Sequence, residues 1–106
     1  MINKEEKKKY QILIVDDEPL IRESLYEILR IEGLRVQMAA TGEDAVNLLA
    51  KNKVDIILTD LKLPKISGIE LLSAIKKDHP ATEIIIITGY GSIETAVEAM
   101  KKGAFD

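Results

Sequence analysis

The sequence contains no cysteine and no tryptophan among its 106 residues, and its only histidine is His79. Disulfide bonds, thiolate catalysis and cysteine-ligated zinc are therefore excluded. A single histidine also rules out a histidine-rich metal site and argues against a histidine-based catalytic triad. The net charge is −3, from 15 basic and 18 acidic residues. That balance is too weak and of the wrong sign for a nucleic-acid-binding surface across the whole chain.

Long apolar segments are missing as well. The longest purely aliphatic runs, Ile12–Val15 and Ile84–Ile87, are far shorter than the roughly 20 residues that span a bilayer. Residues 1–10 are charged and have no apolar core of the kind that secretory signals carry, so we interpret them as a solvated tail. The expectation is a cytoplasmic protein without membrane contact, in which residues 11–106 form one domain.

What the chain does contain is a regular alternation of two patterns. Short runs rich in aliphatic and β-branched residues predict strands at 11–15, 35–39, 54–59 and 83–88. Amphipathic segments that follow these runs predict helices that begin at Pro19 and after Thr41, Ser67 and Ser92. Strict strand–helix alternation with short connections predicts an α/β fold, with a parallel sheet covered by helices on both faces.

Capping signals support these boundaries. Gly33 is typical of the position just past a helix, and Thr41 is a good N-cap for the second helix. Ser67 and Glu70 have the spacing of a capping box before the third helix. Asp17 has two interpretations at this point, because it is either the N-cap of the first helix or a functional carboxylate.

Chemistry-bearing side chains follow three of the four strands. Asp16 and Asp17 follow the first strand, Asp60 the third, and Thr88 the fourth. In open parallel sheets, ligands bind beyond the carboxyl ends of the strands, at the switch in strand order. A 2-1-3-4 order makes the first and third strands neighbours, so these acids would converge.

Converging carboxylates repel one another. Two unit charges about 4 Å apart cost roughly 4 kcal/mol at an effective dielectric near 20. A divalent cation is the simplest way to offset this cost, and Mg²⁺ prefers one or two carboxylates together with water and phosphate oxygens. Taken singly, Asp60 is also compatible with a turn and Thr88 with the end of a strand.

The residues at these strand ends match a known family. The motif-bearing stretches are 15–18 (VDDE), 59–64 (TDLKLP) with Gly68, and 88–91 (TGYG). From about Gln11 to Asp106 the chain resembles the receiver domain of two-component response regulators. The resemblance implies a flavodoxin-like (CheY-like) doubly wound sheet of order 2-1-3-4. Residues 88–106 look most like regulators of the nitrogen-regulation (NtrC) type, whose output is an ATPase transcription activator.

The resemblance also implies a role for each site residue. Asp60 would accept a phosphoryl group from a sensor histidine kinase, a transfer that depends on positioning and charge neutralisation. Asp17 and Asp60 would ligate Mg²⁺ (or Mn²⁺) directly, whereas Asp16 would hold the ion mainly through water. The backbone carbonyl of Lys62 would be a further ligand. Thr88 would contact the phosphoryl group and couple it to the following loop and helix.

Two further residues would flank the acceptor. Lys62 and Tyr90 stand near Asp60 in the family pattern, and their bulk would hinder a hydrolytic water.

The domain would assist its own phosphorylation and dephosphorylation without being a classical enzyme. Its partners would be the kinase and a C-terminal output domain outside this chain, with ATPase and DNA-binding functions. The domain itself would not bind nucleic acid directly, and a homodimer around residues 92–102 is a further expectation.

The sequence departs from the family at its end. Receivers normally have a fifth strand that carries a lysine, then a fifth helix, and both are missing here. We therefore expect an incomplete domain whose fourth strand lies at an exposed sheet edge. Residues Ile84–Ile87 of that edge carry no charge and no proline, so we expect the 106-residue chain to associate.

Three alternatives compete with this interpretation. A receiver-fold interaction module that works without phosphorylation would lose an acid or the acceptor, whereas this chain keeps Asp16, Asp17 and Asp60. An aspartyl-phosphate hydrolase of the haloacid-dehalogenase kind needs an aspartate two residues after the nucleophile, where Lys62 stands. A dinucleotide-binding loop needs a third glycine at the position of Glu94.

Overall fold

Four strands and three helices make up the described part of the chain. A computed structural model describes residues 10–60 and 68–87. The strands are β1 (Gln11–Val15), β2 (Arg35–Ala39), β3 (Ile56–Thr59) and β4 (Glu83–Ile86). The helices are α1 (Pro19–Ile31), α2 (Gly42–Lys51) and α3 (Gly68–Asp78). The predicted fourth helix, which begins after Ser92, lies outside the described residues.

The strands form one parallel sheet in the order β2-β1-β3-β4, which confirms the predicted topology. Val15 pairs with Ala39 on one side and with Thr59 on the other, so the three strands end level with one another. The connection from β1 to β2 runs in the opposite direction to those from β2 to β3 and from β3 to β4. Right-handed crossovers therefore place α1 on one face and α2 and α3 on the other.

The main core lies between the sheet and helices α2 and α3. Alternate strand residues point toward these helices, because side chains in a strand alternate between faces. The core side chains from the sheet are Leu13, Val15, Ala39, Ile57 and Ile84, and those from the helices are Ala45, Leu49, Leu71, Leu72 and Ile75. Helix α3 thus contributes Leu71, Leu72 and Ile75 to the core, and Ile69 is partly buried beside them.

The opposite face of the sheet is less completely covered. Helix α1 packs against β1 and β2 and has no fully buried residue. Its helical spacing was predicted correctly, yet Leu20 is 77% exposed and Ile28 is 59% exposed. On the β3–β4 side of the sheet, Ile87 is 40% exposed. The apolar side chains of α1 are therefore only partly packed against the sheet.

Local hydrogen bonds explain where most elements begin and end. Gly33 has φ +90°, and its N–H donates to the Arg30 carbonyl at 3.0 Å, while the N–H of Leu34 donates to the Leu29 carbonyl at 3.2 Å. These two bonds form a Schellman motif, which confirms Gly33 as the stop signal of α1. Thr41 Oγ1 accepts the N–H of Asp44 at 3.1 Å, as an N-cap should.

Three predicted boundaries need correction or lie outside the described residues. Strand β4 ends at Ile86, before the predicted end at residue 88. Strand β3 begins at Ile56, two residues later than predicted. The preceding Asp55 bonds twice to Gln11, because its N–H donates to the Gln11 carbonyl at 2.9 Å and its side chain accepts the Gln11 N–H at 2.9 Å. These bonds tie the residue before β3 to β1. The predicted capping box cannot be placed, because Ser67 lies outside the described residues.

Within residues 10–60 and 68–87, no helix is both long and apolar enough to cross a membrane.

Candidate functional site

Asp16 and Asp17 form the connection between β1 and α1. The N–H of Asp16 donates to the Ala39 carbonyl at 3.1 Å, so the residue continues the pairing of β1 with β2 for one step. Its side-chain Oδ1 accepts the N–H of Glu18 at 2.9 Å. Asp16 is buried, whereas Asp17 is exposed. The connection therefore carries one buried carboxylate, that of Asp16, and one exposed carboxylate, that of Asp17.

Helix α1 does not use Asp17 as its N-cap. The N-cap position is Glu18, whose side chain makes no capping hydrogen bond, and Pro19 occupies the first turn. Proline is suited to this place because its missing N–H would have no partner there in any case. The capping interpretation of Asp17 is thus wrong, because its carboxylate does not occupy the N-cap position of α1.

Asp60 directly follows β3. Its N–H donates to the Val15 carbonyl at 3.3 Å, which extends the pairing of β3 with β1 to the end of the sheet. Thr59 Oγ1 donates to the Asp60 carbonyl at 3.1 Å, and both residues are buried. Because β1 and β3 are neighbours and end level, Asp60 stands beside the β1–α1 connection.

The three aspartates meet at the carboxyl end of the sheet. One carboxylate oxygen from each of Asp16, Asp17 and Asp60 lies within 4.8 Å of the other two. At that separation two unit charges repel by about 3 to 4 kcal/mol at an effective dielectric near 20. The predicted convergence of these side chains is therefore a structural fact, and the cluster calls for a compensating positive charge.

The donor set suits a hard divalent cation. All three donors are carboxylate oxygens, and no nitrogen or sulfur donor belongs to the group. Oxygen-only sites with one exposed member select Mg²⁺ or a similar ion, which keeps several waters and accepts phosphate oxygens. The three carboxylates thus fit magnesium, and Asp17 is the exposed member of the group.

The other predicted site residues are not placed. Thr88, Lys62 and Tyr90 all lie outside the described residues. The nearest described neighbours along the chain are Asp60 and Ile87, and Ile87 donates its N–H to the Thr59 carbonyl at 2.8 Å. This bond keeps β4 level with β3 up to the residue before Thr88.

One polar contact near the cluster was not anticipated from the sequence. Arg22 lies one turn into α1, and its Nη1 donates to the main-chain carbonyl of Asp16 at 2.8 Å. Sequence spacing gave only a weak signal, because a six-residue separation across a strand–helix junction predicts no contact by itself. The junction geometry brings the two residues together.

Comparison with known proteins gives the cluster a family context. Residues 12–106 match the sequence profile of the response regulator receiver domain. The chain is 45% identical over 98 residues to the response regulator protein PilR of Pseudomonas aeruginosa, covering 92% of this chain and 22% of that protein. It is 40% identical over 99 residues to the nitrogen assimilation regulatory protein NtrX of Azorhizobium caulinodans, covering 92% and 22%.

Solved structures agree with the sequence matches. The beryllofluoride-activated NtrC4 receiver domain dimer superposes with a TM-score of 0.85 at 38% identity, over 91% of this chain and 79% of that one. A response regulator protein from Burkholderia pseudomallei, solved with a phosphorylated aspartic acid, calcium ion and citrate, gives 0.85 at 33% identity, over 91% and 56%.

These matches identify the family and its branch. The chain spans about a fifth of the length of the curated relatives it matches. Its relatives are regulators of the nitrogen-regulation type, and the observed sheet order is that of the predicted flavodoxin-like fold. With 95 of its residues inside the family profile, as the span 12–106 gives, the chain belongs to the response regulator receiver domain family.

Proposed function

We propose that this domain accepts a phosphoryl group on Asp60 from a sensor histidine kinase, with Mg²⁺ held by Asp16, Asp17 and Asp60. The convergence of these three carboxylates within 4.8 Å at the carboxyl end of a parallel sheet carries the proposal. Receiver domains bind Mg²⁺ at such an acidic pocket, and a relative from Burkholderia pseudomallei was solved with a phosphorylated aspartic acid and a calcium ion.

The proposed chemistry is a simple displacement at phosphorus. A carboxylate oxygen of Asp60 attacks the phosphorus atom while the bond from phosphorus to the kinase histidine nitrogen breaks. The electron pair of that bond leaves with the imidazole, and an acyl phosphate forms on Asp60. Bound Mg²⁺ would supply positive charge against the incoming phosphoryl oxygens, which add about −1.5 to −2 charge to an acidic edge.

Each described residue would have a separate task. Asp17 is exposed and would present its carboxylate directly to the ion, while Asp16 is buried and already accepts the Glu18 N–H on Oδ1. Asp16 would therefore act mainly through water, as the family resemblance implies. Lys62 would add its carbonyl to the ion, and Thr88 would contact the phosphoryl group.

The signal would pass to an output domain beyond the receiver. The curated relatives are about five times as long as the matched segment, so they carry further domains. By analogy with those regulators, the output would be an ATPase that activates transcription, and this domain would not bind DNA directly. Receiver domains are signalling domains rather than classical enzymes, and only the phosphoryl chemistry on Asp60 is proposed here.

The test is phosphorylation of the protein by acetyl phosphate. We expect one phosphoryl adduct on Asp60 that requires Mg²⁺ and is absent when EDTA is present. Asp60→Asn should abolish the adduct, because the amide is not a competent nucleophile. Mass spectrometry of the intact protein and of its peptides measures the adduct and its position.

A matched control removes a carboxylate elsewhere. Asp78→Asn changes an exposed aspartate at the end of α3 and should leave the adduct unchanged. A stable adduct that persists in Asp60→Asn at another residue would contradict the assignment. Full kinase-dependent signalling without any adduct would favour the alternative of a phosphorylation-independent interaction module.

A further inference from the structure

The connection between β1 and α1 is held by a closed set of hydrogen bonds. The N–H of Glu18 donates to Asp16 Oδ1 at 2.9 Å, and the N–H of Arg22 donates to the Glu18 carbonyl at 3.0 Å. Arg22 Nη1 then returns to the Asp16 carbonyl at 2.8 Å. Asp17 is the residue enclosed between these anchor points, although its own side chain is exposed.

This arrangement fixes Asp17 through the backbone. Because the Asp17 side chain is exposed, its position depends strongly on the main chain on either side. Arg22 is half-buried, and its guanidinium is planar and always charged, which suits a well-defined bond to a carbonyl. Because Nη1 bonds to the main-chain carbonyl of Asp16, this hydrogen bond occupies no carboxylate oxygen.

We infer that Arg22 is a positioning residue for the metal site, which holds the β1–α1 connection so that Asp16 and Asp17 face Asp60. The inference rests on the proposed function, because the site it serves is the proposed Mg²⁺ site. Arg22 touches neither the ion nor the phosphoryl group in this role. It acts through the main chain of Asp16, as outer-shell partners of metal ligands do.

The direction of the effect separates positioning from simple electrostatics. A nearby positive charge repels Mg²⁺, so removal of the Arg22 charge alone would tighten binding. Loss of positioning would weaken binding instead. Arg22→Met keeps an unbranched side chain while it removes both the charge and the donor. We expect about tenfold weaker Mg²⁺ binding in this variant, the lower end of the range for outer-shell changes.

Two further variants complete the design. Arg30→Met is the matched control, because Arg30 lies eight residues further along the same helix and pairs with Glu27 at 3.3 Å. It removes the same charge and should leave Mg²⁺ affinity unchanged. Arg22→Lys keeps the charge but replaces the planar head by a shorter one, so it should rescue binding in part, to about threefold weaker than the parent.

Mg²⁺ affinity is measured by calorimetric titration, with circular dichroism used to confirm folding. Arg22→Met that binds Mg²⁺ as tightly as the parent, or more tightly, would overturn the inference, as would an equal loss in Arg30→Met. If Arg22→Met fails to fold, Arg22→Lys decides, and parent-like affinity in that variant overturns the positioning role. A parent chain that binds no Mg²⁺ would overturn the proposed function itself, whereas parent binding with an unaffected Arg22→Met overturns only this inference.

Discussion

Asp16 is the residue that links sheet and site. Its N–H extends β1 pairing by donating to Ala39, its Oδ1 accepts from Glu18, and its carbonyl accepts from Arg22. A buried carboxylate is tolerated only when its polar atoms have partners, and the N–H of Glu18 supplies one to Oδ1. Asp17 differs, because it is exposed and its oxygen contributes to the cluster without belonging to the same bonds. The exposed member is therefore the one to replace when metal binding is tested.

At the residue scale, we predict that Asp17→Asn uncouples stability from Mg²⁺. The parent should gain about 2.7 kcal/mol of unfolding free energy when Mg²⁺ is at 100 times its Kd. Asp17→Asn should lose most of this gain, since one of the three carboxylates no longer attracts the ion. Without metal it should be at least as stable as the parent, because the repulsion in the cluster is smaller.

Thermal unfolding with Mg²⁺ and with EDTA measures both effects. Asp44→Asn is a suitable control, because Asp44 is an exposed aspartate that lies outside the cluster. Its response to Mg²⁺ should equal that of the parent. An equal Mg²⁺-dependent gain in Asp17→Asn would contradict the assignment of this carboxylate to the site.

At the scale of elements, the end of α1 depends on one backbone conformation. Gly33 has φ +90°, and a Cβ built there would meet no other atom within 4 Å. The requirement for glycine is thus conformational and not steric toward the rest of the fold. The turn at Gly33 directs the chain from α1 into β2. The last residue of β2, Ala39, accepts the N–H of Asp16 on its carbonyl.

For this element we predict that Gly33→Ala lowers the unfolding free energy by about 1 kcal/mol, the cost of a left-handed conformation for a residue with a Cβ. Gly33→Asn should cost less, because asparagine enters this conformation more readily. Chemical denaturation of the three chains measures the differences. Equal stability of Gly33→Ala and the parent would show that the turn relaxes, which would contradict the prediction.

The whole molecule is organised by the sheet and its two unequal faces. Crossovers in both directions from β1 put helices on both sides, and the strand ends bring the acidic cluster to the point where the order reverses. In the described part of the chain, β4 pairs with β3 alone and forms one edge of the sheet. Exposed apolar residues lie near it, with Ile87 at 40% exposure.

For the whole molecule, we predict that the 106-residue chain associates through the β4 edge. The aliphatic residues Ile84–Ile86 of this edge strand carry no charge, and an edge strand offers unpaired backbone groups to a second chain. Ile87→Lys should reduce this association, because a lysine directly after the edge strand opposes edge-to-edge pairing. Light scattering over a concentration series measures the molar mass of each variant.

A second exposed isoleucine is the control for this prediction. Ile28→Lys places the same charge on α1, where the parent residue is 59% exposed. It should leave association by the β4 edge intact. If Ile28→Lys abolishes association and Ile87→Lys does not, the α1 surface is responsible and the edge prediction is wrong. A monomeric parent at high concentration would also contradict it.

Local patterns in the sequence were enough to predict the four strands and the three described helices in their order along the chain. Apolar runs placed β1 and β2 to the residue, and the capping roles of Thr41 and Gly33 were correct. These features are local, because a strand run, an N-cap or a left-handed turn depends on residues a few positions apart. The family motifs at the strand ends identified the three aspartates for the same reason.

Contacts between residues distant in sequence could be read only from the folded structure. It began β3 at Ile56 and gave the side chain of Asp55 a bond with the N–H of Gln11, and it showed that Asp17 is not the helix cap. It revealed the hydrogen bond from Arg22 to the Asp16 carbonyl, and it showed that apolar residues of α1 such as Leu20 and Ile28 are exposed. Such contacts follow from how strands and helices are placed against one another, and no local pattern of residue types encodes that placement.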